Sequence, residues 1–149
     1  MSKSWGTPTW YFFHTLVEKI KEEHYNDIKV DMLGHIKRLC SVLPCPECRD
    51  HAVNHLRNFN IGQMPTKEHM KRFLFNFHNN VNARLGHPQY LLKDLELYKR
   101  GNFVKIFYYC KQEMMKPRHN KLLTDSMNRR ININNIEKWL QTNKEKFNP

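Results

Sequence analysis

Apolar residues recur at steps of three and four along most of this chain, and that period commits it to helices. Trp10, Phe13, His14, Val17 and Ile20 share one face of a helix over residues 8–23. A second helix starts at Asp27, carries Ile28, Met32, Ile36, Leu39, Cys40 and Leu43 on its apolar stripe, and stops at Pro44. A third runs from Cys45 to about residue 58 with Cys48, Ala52 and Leu56 inward, and residues 58–65, with Gly62, form a loop. Thr66 is a natural N-cap for a long helix over 67–85, which bears Met70, Phe73, Leu74, Phe77, His78, Val81 and Leu85. Gly86 ends that helix and Pro88 keeps it ended. A short helix near 91–99 and another over 102–115 follow, the latter with Phe103, Ile106, Phe107, Cys110 and Met114 inward. Residues 116–131 read as a linker, and 132–147 as a last amphipathic helix through Ile133, Ile136, Leu140 and Phe147. Strand-like alternation is scarce and glycines number five, so the expected class is all-α.

At 149 residues the chain is long enough to bury a core without disulfide staples. Twenty-five basic against 14 acidic residues give a net charge of +11, which suits solubility and the phosphates of a nucleotide. The N-terminus opens polar and soon meets Trp5, Gly6 and Pro8, so no signal peptide is expected. No apolar run approaches the roughly 18 residues of a membrane span. A cytoplasmic protein, away from membranes, is the expectation.

Four cysteines stand at 40, 45, 48 and 110, too uneven for a secreted disulfide framework. Cys45-Pro46-Glu47-Cys48 opens the third helix, where the positive end of the helix dipole favours a thiolate. Redox chemistry is the first reading of the pair. Zinc is the rival, because Cys48, His51 and His55 share a helix face with Cys45 beside them. A thioredoxin-like site would need a βαβ setting that this chain lacks. Cys40 and Cys110 sit on apolar faces and read as small buried hydrophobes. Trp5, Trp10, His14, His78, Asn79 and Asn82 together describe a polar-aromatic pocket that a flavin and its adenine would fit. Lys116, Arg118, Lys121, Arg129 and Arg130 form a basic segment that reads as a solvated surface, with nucleic-acid contact the lesser alternative.

Three stretches carry a resemblance. They are Trp5-Gly6-x3-Trp10-x3-His14-Thr15-Leu16, Leu43-Pro44-Cys45-Pro46-Glu47-Cys48-Arg49-Asp50-His51-Ala52, and Phe77-His78-Asn79-Asn80-Val81-Asn82-Ala83-Arg84-Leu85-Gly86-His87-Pro88. In this order and spacing the chain resembles the FAD-linked sulfhydryl oxidases of the Erv/ALR type, most of all those encoded by large DNA viruses. The resemblance covers about residues 3–100. It implies a four-helix bundle plus a short fifth helix, a homodimer, and FAD as cofactor. It implies Cys45 and Cys48 as the catalytic pair, with no metal. Trp5, Gly6, Thr7 and Pro8 would line the isoalloxazine side; Trp10 and His14, then His78, Asn79, Val81, Asn82, Leu85 and His87, would hold the nucleotide. Tyr98 would meet the adenosine. The extra cysteines that staple the fifth helix in cellular members are missing near Asn76 and Leu92, and His87 stands where a lysine is common.

On this footing residues 1–100 form the FAD-binding oxidase core and 101–149 a basic helical C-terminal extension of unknown role. The implied reaction is disulfide formation in a dithiol protein, with electrons passing through FAD to O2 to give H2O2. Without a second dithiol in the chain, a small redoxin is the expected partner. Host cytoplasm or virion would be the location of a viral member. The alternative is a zinc-stabilised helical binding module on Cys45, Cys48, His51 and His55, with the basic tail touching nucleic acid.

Overall fold

The computed structural model describes residues 4–118 and 123–149. The order of helices is α1 Gly6–Lys19, α2 Tyr25–Cys40, α3 Pro46–Arg57, α4 Lys67–Leu85, a 3-10 segment Leu92–Arg100, α5 Phe103–Met114 and α6 Leu123–Thr142. Short 3-10 turns occupy Glu22–His24, Ile61–Gln63 and Lys144–Lys146. Among the described residues there is no strand, only an isolated antiparallel bridge between Ile20 and Phe147. No described helix is long and apolar enough to cross a membrane.

Local chemistry sets most of these boundaries. The Thr66 side chain accepts the His69 N–H at 3.3 Å and so caps α4, and Asn102 accepts the Lys105 N–H at 3.0 Å to cap α5. Gly86 ends α4 at φ 74°, a left-handed conformation that costs a side-chain-bearing residue more than glycine. One apolar cluster then gathers Phe12, Leu16 and Val17 of α1, Met32, Ile36 and Leu39 of α2, Leu56 of α3, and Met70, Leu74 and Phe77 of α4. The 3-10 segment is held to α1 by Lys19 Nζ, which donates to Lys99 O at 3.0 Å. The buried Glu18 carboxylate is paired with the Lys71 ammonium at 2.8 Å.

The segment beyond residue 100 shares this core. Phe103 and Phe107 of α5 pack their rings on Phe12, and Ile133 and Ile136 of α6 are buried as α6 lies along α2. The final residues strap the far end of α1: Lys21 N–H donates to Lys146 O at 2.9 Å and Asn148 N–H to Lys19 O at 2.7 Å.

Four expectations change. The first helix stops at Lys19 rather than 23, because Ile20 turns extended (ψ 132°) to pair with Phe147. Lys67 Nζ takes over capping there, donating to Glu18 O at 2.9 Å and Ile20 O at 2.8 Å. The short fifth helix is of the 3-10 type. The expected linker over 116–131 is mostly helix, since α6 begins at Leu123. Its reason is Arg129, which is 1% exposed and buried against the α2–α3 turn, so the basic segment is no uniformly solvated surface. Lys121 of that segment lies outside the described residues.

Candidate functional site

The dithiol sits at a joint written by two prolines. α2 ends at Cys40, and Pro44 and Pro46 flank Cys45. A residue before proline is driven out of the helical region. Cys45 accordingly takes φ −105°, ψ 115° and serves as the N-cap of α3, with Pro46 at its first position. Its Sγ accepts the Cys48 N–H at 3.2 Å. Cys45 is half-buried and Cys48 is buried. The outer sulfur is thus reachable at the positive end of a helix, and the inner one faces the protein.

Cys48 faces a cavity of about 580 Å³, within the size range of ligand pockets. Trp5, Gly6, Thr7 and Trp10 form one wall at the start of α1, and His78, Val81, Asn82 and Leu85 of α4 form another. Cys40 of α2 and Ala52 of α3 complete the depth, and His87 to Tyr90 close the rim. Trp10 and His78 lie nearly parallel, with ring centroids 4.1 Å apart and planes 8° apart. Behind them His14 Nε2 meets His78 Nδ1 at 2.9 Å, so one imidazole donates and the other accepts. Burial, with His78 beside it, pushes the His14 pKa down to about 3. Burial, with His87 nearby, takes His78 to about 4. Both rings are therefore neutral at pH 7, with one N–H shared between them.

The expected site residues fall into two shells of this cavity. Trp5, Gly6, Thr7, Trp10, His78, Val81, Asn82, Leu85 and His87 line it. Pro8 is buried behind the wall, His14 lies behind Trp10 and His78, and Tyr98 stacks on His14 at 4.8 Å. Asn79 shapes the rim: its Nδ2 donates to Tyr90 O at 3.0 Å and its Oδ1 accepts the Tyr90 N–H at 2.8 Å. This clamp sets the Tyr90 ring 4.4 Å from His78. Sequence reasoning missed Tyr90, Arg84, Gln89 and Asp94 as lining residues. No helical period marks Tyr90 or Gln89; only an amide such as Asn79 with no helical duty hints at a partner loop.

The four-ligand zinc set is not assembled. Among the described residues no three His, Cys, Asp or Glu side chains converge to hold a metal ion. His55 stacks on Phe77 at 4.8 Å and on Phe59 at 5.4 Å, and His51 lies 4.0 Å from Glu47. Cys40 and Cys110 are buried, as their apolar settings lead one to expect, and burial pushes both thiols up to about 12.

The sequence that builds this cavity is matched over residues 7–101 by the model of the Erv1 / Alr family. The chain belongs to that family. Among curated proteins, a protein of invertebrate iridescent virus 3 with the provisional name FAD-linked sulfhydryl oxidase 096R is 32% identical over 61% of this chain and 62% of its own. The FAD-linked sulfhydryl oxidase ERV1 of Arabidopsis thaliana is 36% identical over 54% of this chain and 42% of its own. An FAD-linked sulfhydryl oxidase of African swine fever virus is 28% identical over 67% of this chain and 92% of its own. The chain therefore spans less than two thirds of the first two relatives. No solved structure matches it with significance. The Erv1 / Alr match takes in every residue that lines the cavity except Trp5 and Gly6, and it ends where α5 begins.

Proposed function

We propose that this Erv1 / Alr chain is an FAD-dependent sulfhydryl oxidase that forms disulfides in dithiol proteins. The observation that carries the reading is that Cys48 opens onto the same cavity as the parallel Trp10–His78 pair. The residues fit FAD. A flat ring system suits a slot walled by stacked aromatics, and a Cβ at Gly6 would meet nothing within 4 Å, which leaves the α1 wall open. Neutral imidazoles and the amide of Asn82 offer edge hydrogen bonds without burying charge. Arg84 and His87 on the lining suit phosphates. Bound FAD would supply a two-electron acceptor for the dithiol and return the electrons to O2 as H2O2.

The chain's own part begins with Cys45 and Cys48 joined as a disulfide. A substrate thiolate attacks Cys45 Sγ; the bond to Cys48 breaks and Cys48 leaves as a thiolate. A second substrate thiolate then attacks the substrate sulfur of the mixed disulfide and releases Cys45. The substrate gains one disulfide, and the Cys45/Cys48 pair gains two electrons and, with solvent, two protons. Cys45 is the entry because it is the more exposed sulfur, and Cys48 is the inner one because it lines the cavity.

Finer assignments rest on the same reading. A small redoxin is the proposed partner, since the sequence holds no second Cys-x-x-Cys. A homodimer, and a place in host cytoplasm or virion, accompany the resemblance to viral members. Residues 1–100 carry the chemistry and 101–149 support it by packing. The deciding experiment is the visible spectrum of the purified chain together with oxygen uptake on dithiothreitol. Flavin bands released as FAD on denaturation, with uptake, are expected. A protein that stays colourless after FAD is added, or carries stoichiometric zinc instead, overturns the reading.

A further inference from the structure

Guanidinium groups from three separate elements gather beside the Cys45–Cys48 turn. Arg129 of α6 is 1% exposed. Its Nη1 donates to Val42 O at 3.4 Å, on the turn that leads into Cys45, and its Nη2 donates to Ser126 Oγ at 3.3 Å. Its Nε is buried with no hydrogen-bond partner among the described residues, and so is the Nε of Arg118, in the segment after α5. Arg118 and Arg49 both lie near enough to disfavour the charge on Arg129. Asp125 is the carboxylate that offsets it, and Asp125 is also shared with Arg49 at 3.8 Å. Arg118 Nη2 donates to Glu113 O at 2.6 Å, and the Glu113 carboxylate, bonded to Lys116 at 2.7 Å, also feels the Arg118 charge. Arg49 and Arg129 thus share Asp125 while Arg118 and Lys116 share Glu113, so four cations face two carboxylates, with two buried N–H donors unfilled. That is a costly arrangement for a fold to keep unless something fills it.

The place of the cluster gives it meaning. Arg49 follows Cys45 by four residues, so it stands one turn along α3 on the same side, and its N–H donates to Cys45 O at 2.9 Å. Arg129 grips the chain three residues before Cys45. The cations therefore flank the sulfur that a substrate thiolate would attack. Arg49 and Arg118 are partly exposed and can meet a partner, while Arg129 forms the floor. A guanidinium fork matches the two oxygens of a carboxylate.

On the sulfhydryl oxidase reading, we infer that Arg49, Arg118 and Arg129 form a docking site for a carboxylate side chain carried next to the dithiol of the protein substrate, so that acidic dithiol segments are the preferred class. The test uses the full chain with FAD and two peptides that share one Cys-x-x-Cys and differ in Glu or Gln at the flanking positions. The wild-type chain is expected to oxidise the Glu peptide with a KM about tenfold lower, the size of one charge-assisted hydrogen bond. The ratio of the two kcat/KM values is expected to fall towards one in Arg118→Gln. Because it compares two substrates on one enzyme, partial misfolding cancels. Fluorescence anisotropy with labelled peptides whose cysteines are replaced by serine is expected to show the same preference without turnover. Equal KM values, or a preference kept in Arg118→Gln, would overturn the site. If neither peptide is oxidised, the oxidase reading fails, and the anisotropy alone then decides: preference for Glu upholds the anion site and its absence overturns it.

Discussion

His14 and His78 are tied by one hydrogen bond and stripped of water, and that dictates how they answer acid. Unfolded imidazoles titrate near 6.5, whereas these two are held near 3 and 4. As pH falls below 6.5 the unfolded chain takes up protons that the folded one refuses. The stabilisation is complete above 6.5, fades through that window and is gone once the folded values are passed. At pH 4.5 each ring accounts for about 2.5 kcal/mol of lost stability. Urea midpoints at pH 7.5 and 4.5 should differ by less in His14→Gln than in the wild type; an unchanged difference would contradict the buried neutral pair. His78→Ala leaves the His14 donor or acceptor unmet, a cost of about 2 kcal/mol that should lower Tm by about 5 °C and weaken FAD retention together. Cys45→Ser removes the entry sulfur but touches no cavity wall, so it should abolish dithiol oxidation and keep the flavin spectrum.

At the scale of elements, what could be read beforehand was what a few neighbours decide. Thr66 and Gly86 fixed α4 to the residue because a cap is a local hydrogen bond and a left-handed turn is a local conformation. The Cys45–Cys48 joint was legible for the same reason, with Pro44 and Pro46 doing the positioning. The end of α1 and the start of α6 were not, because partners more than a hundred or eighty residues away set them: Phe147 claims Ile20, and Val42 receives Arg129. A buried arginine looks like surface to any pattern based on polarity. In the site, Trp10, His14, His78 and Asn82 followed from helical spacing and the rest of the α1 and α4 walls from the family resemblance, while Tyr90 arrived through the Asn79 clamp on an irregular segment. Lys67 offers a check on long-range capping. Lys67→Met removes the donor to Glu18 O and Ile20 O, and the urea midpoint should fall by the equivalent of about 1–3 kcal/mol; no change would mean that solvent satisfies those carbonyls equally well.

Across the whole molecule, the cavity and the stability come from different parts of the chain. Among the described residues none beyond Asp94 lines the cavity, yet Ile133, Ile136 and Phe147 are buried in the common core. Truncation after Met115 removes three side chains worth about 1.5–3 kcal/mol each in burial, so Tm should drop by more than about 10 °C, while any chain still folded keeps an unaltered flavin spectrum. A truncated protein as stable as the parent would show that α6 is an ornament. On the proposed oxidase reading, the two remaining cysteines bear on how the protein keeps its own thiols out of exchange. Cys40 stands on the cavity wall and Cys110 donates to Thr9 Oγ1 at 3.8 Å, and both thiols are pushed up to about 12 by burial. At neutral pH they offer almost no thiolate, and exchange needs thiolate. On that reading the fold insulates two of its four thiols from the exchange carried by the other two, and it does so by dryness.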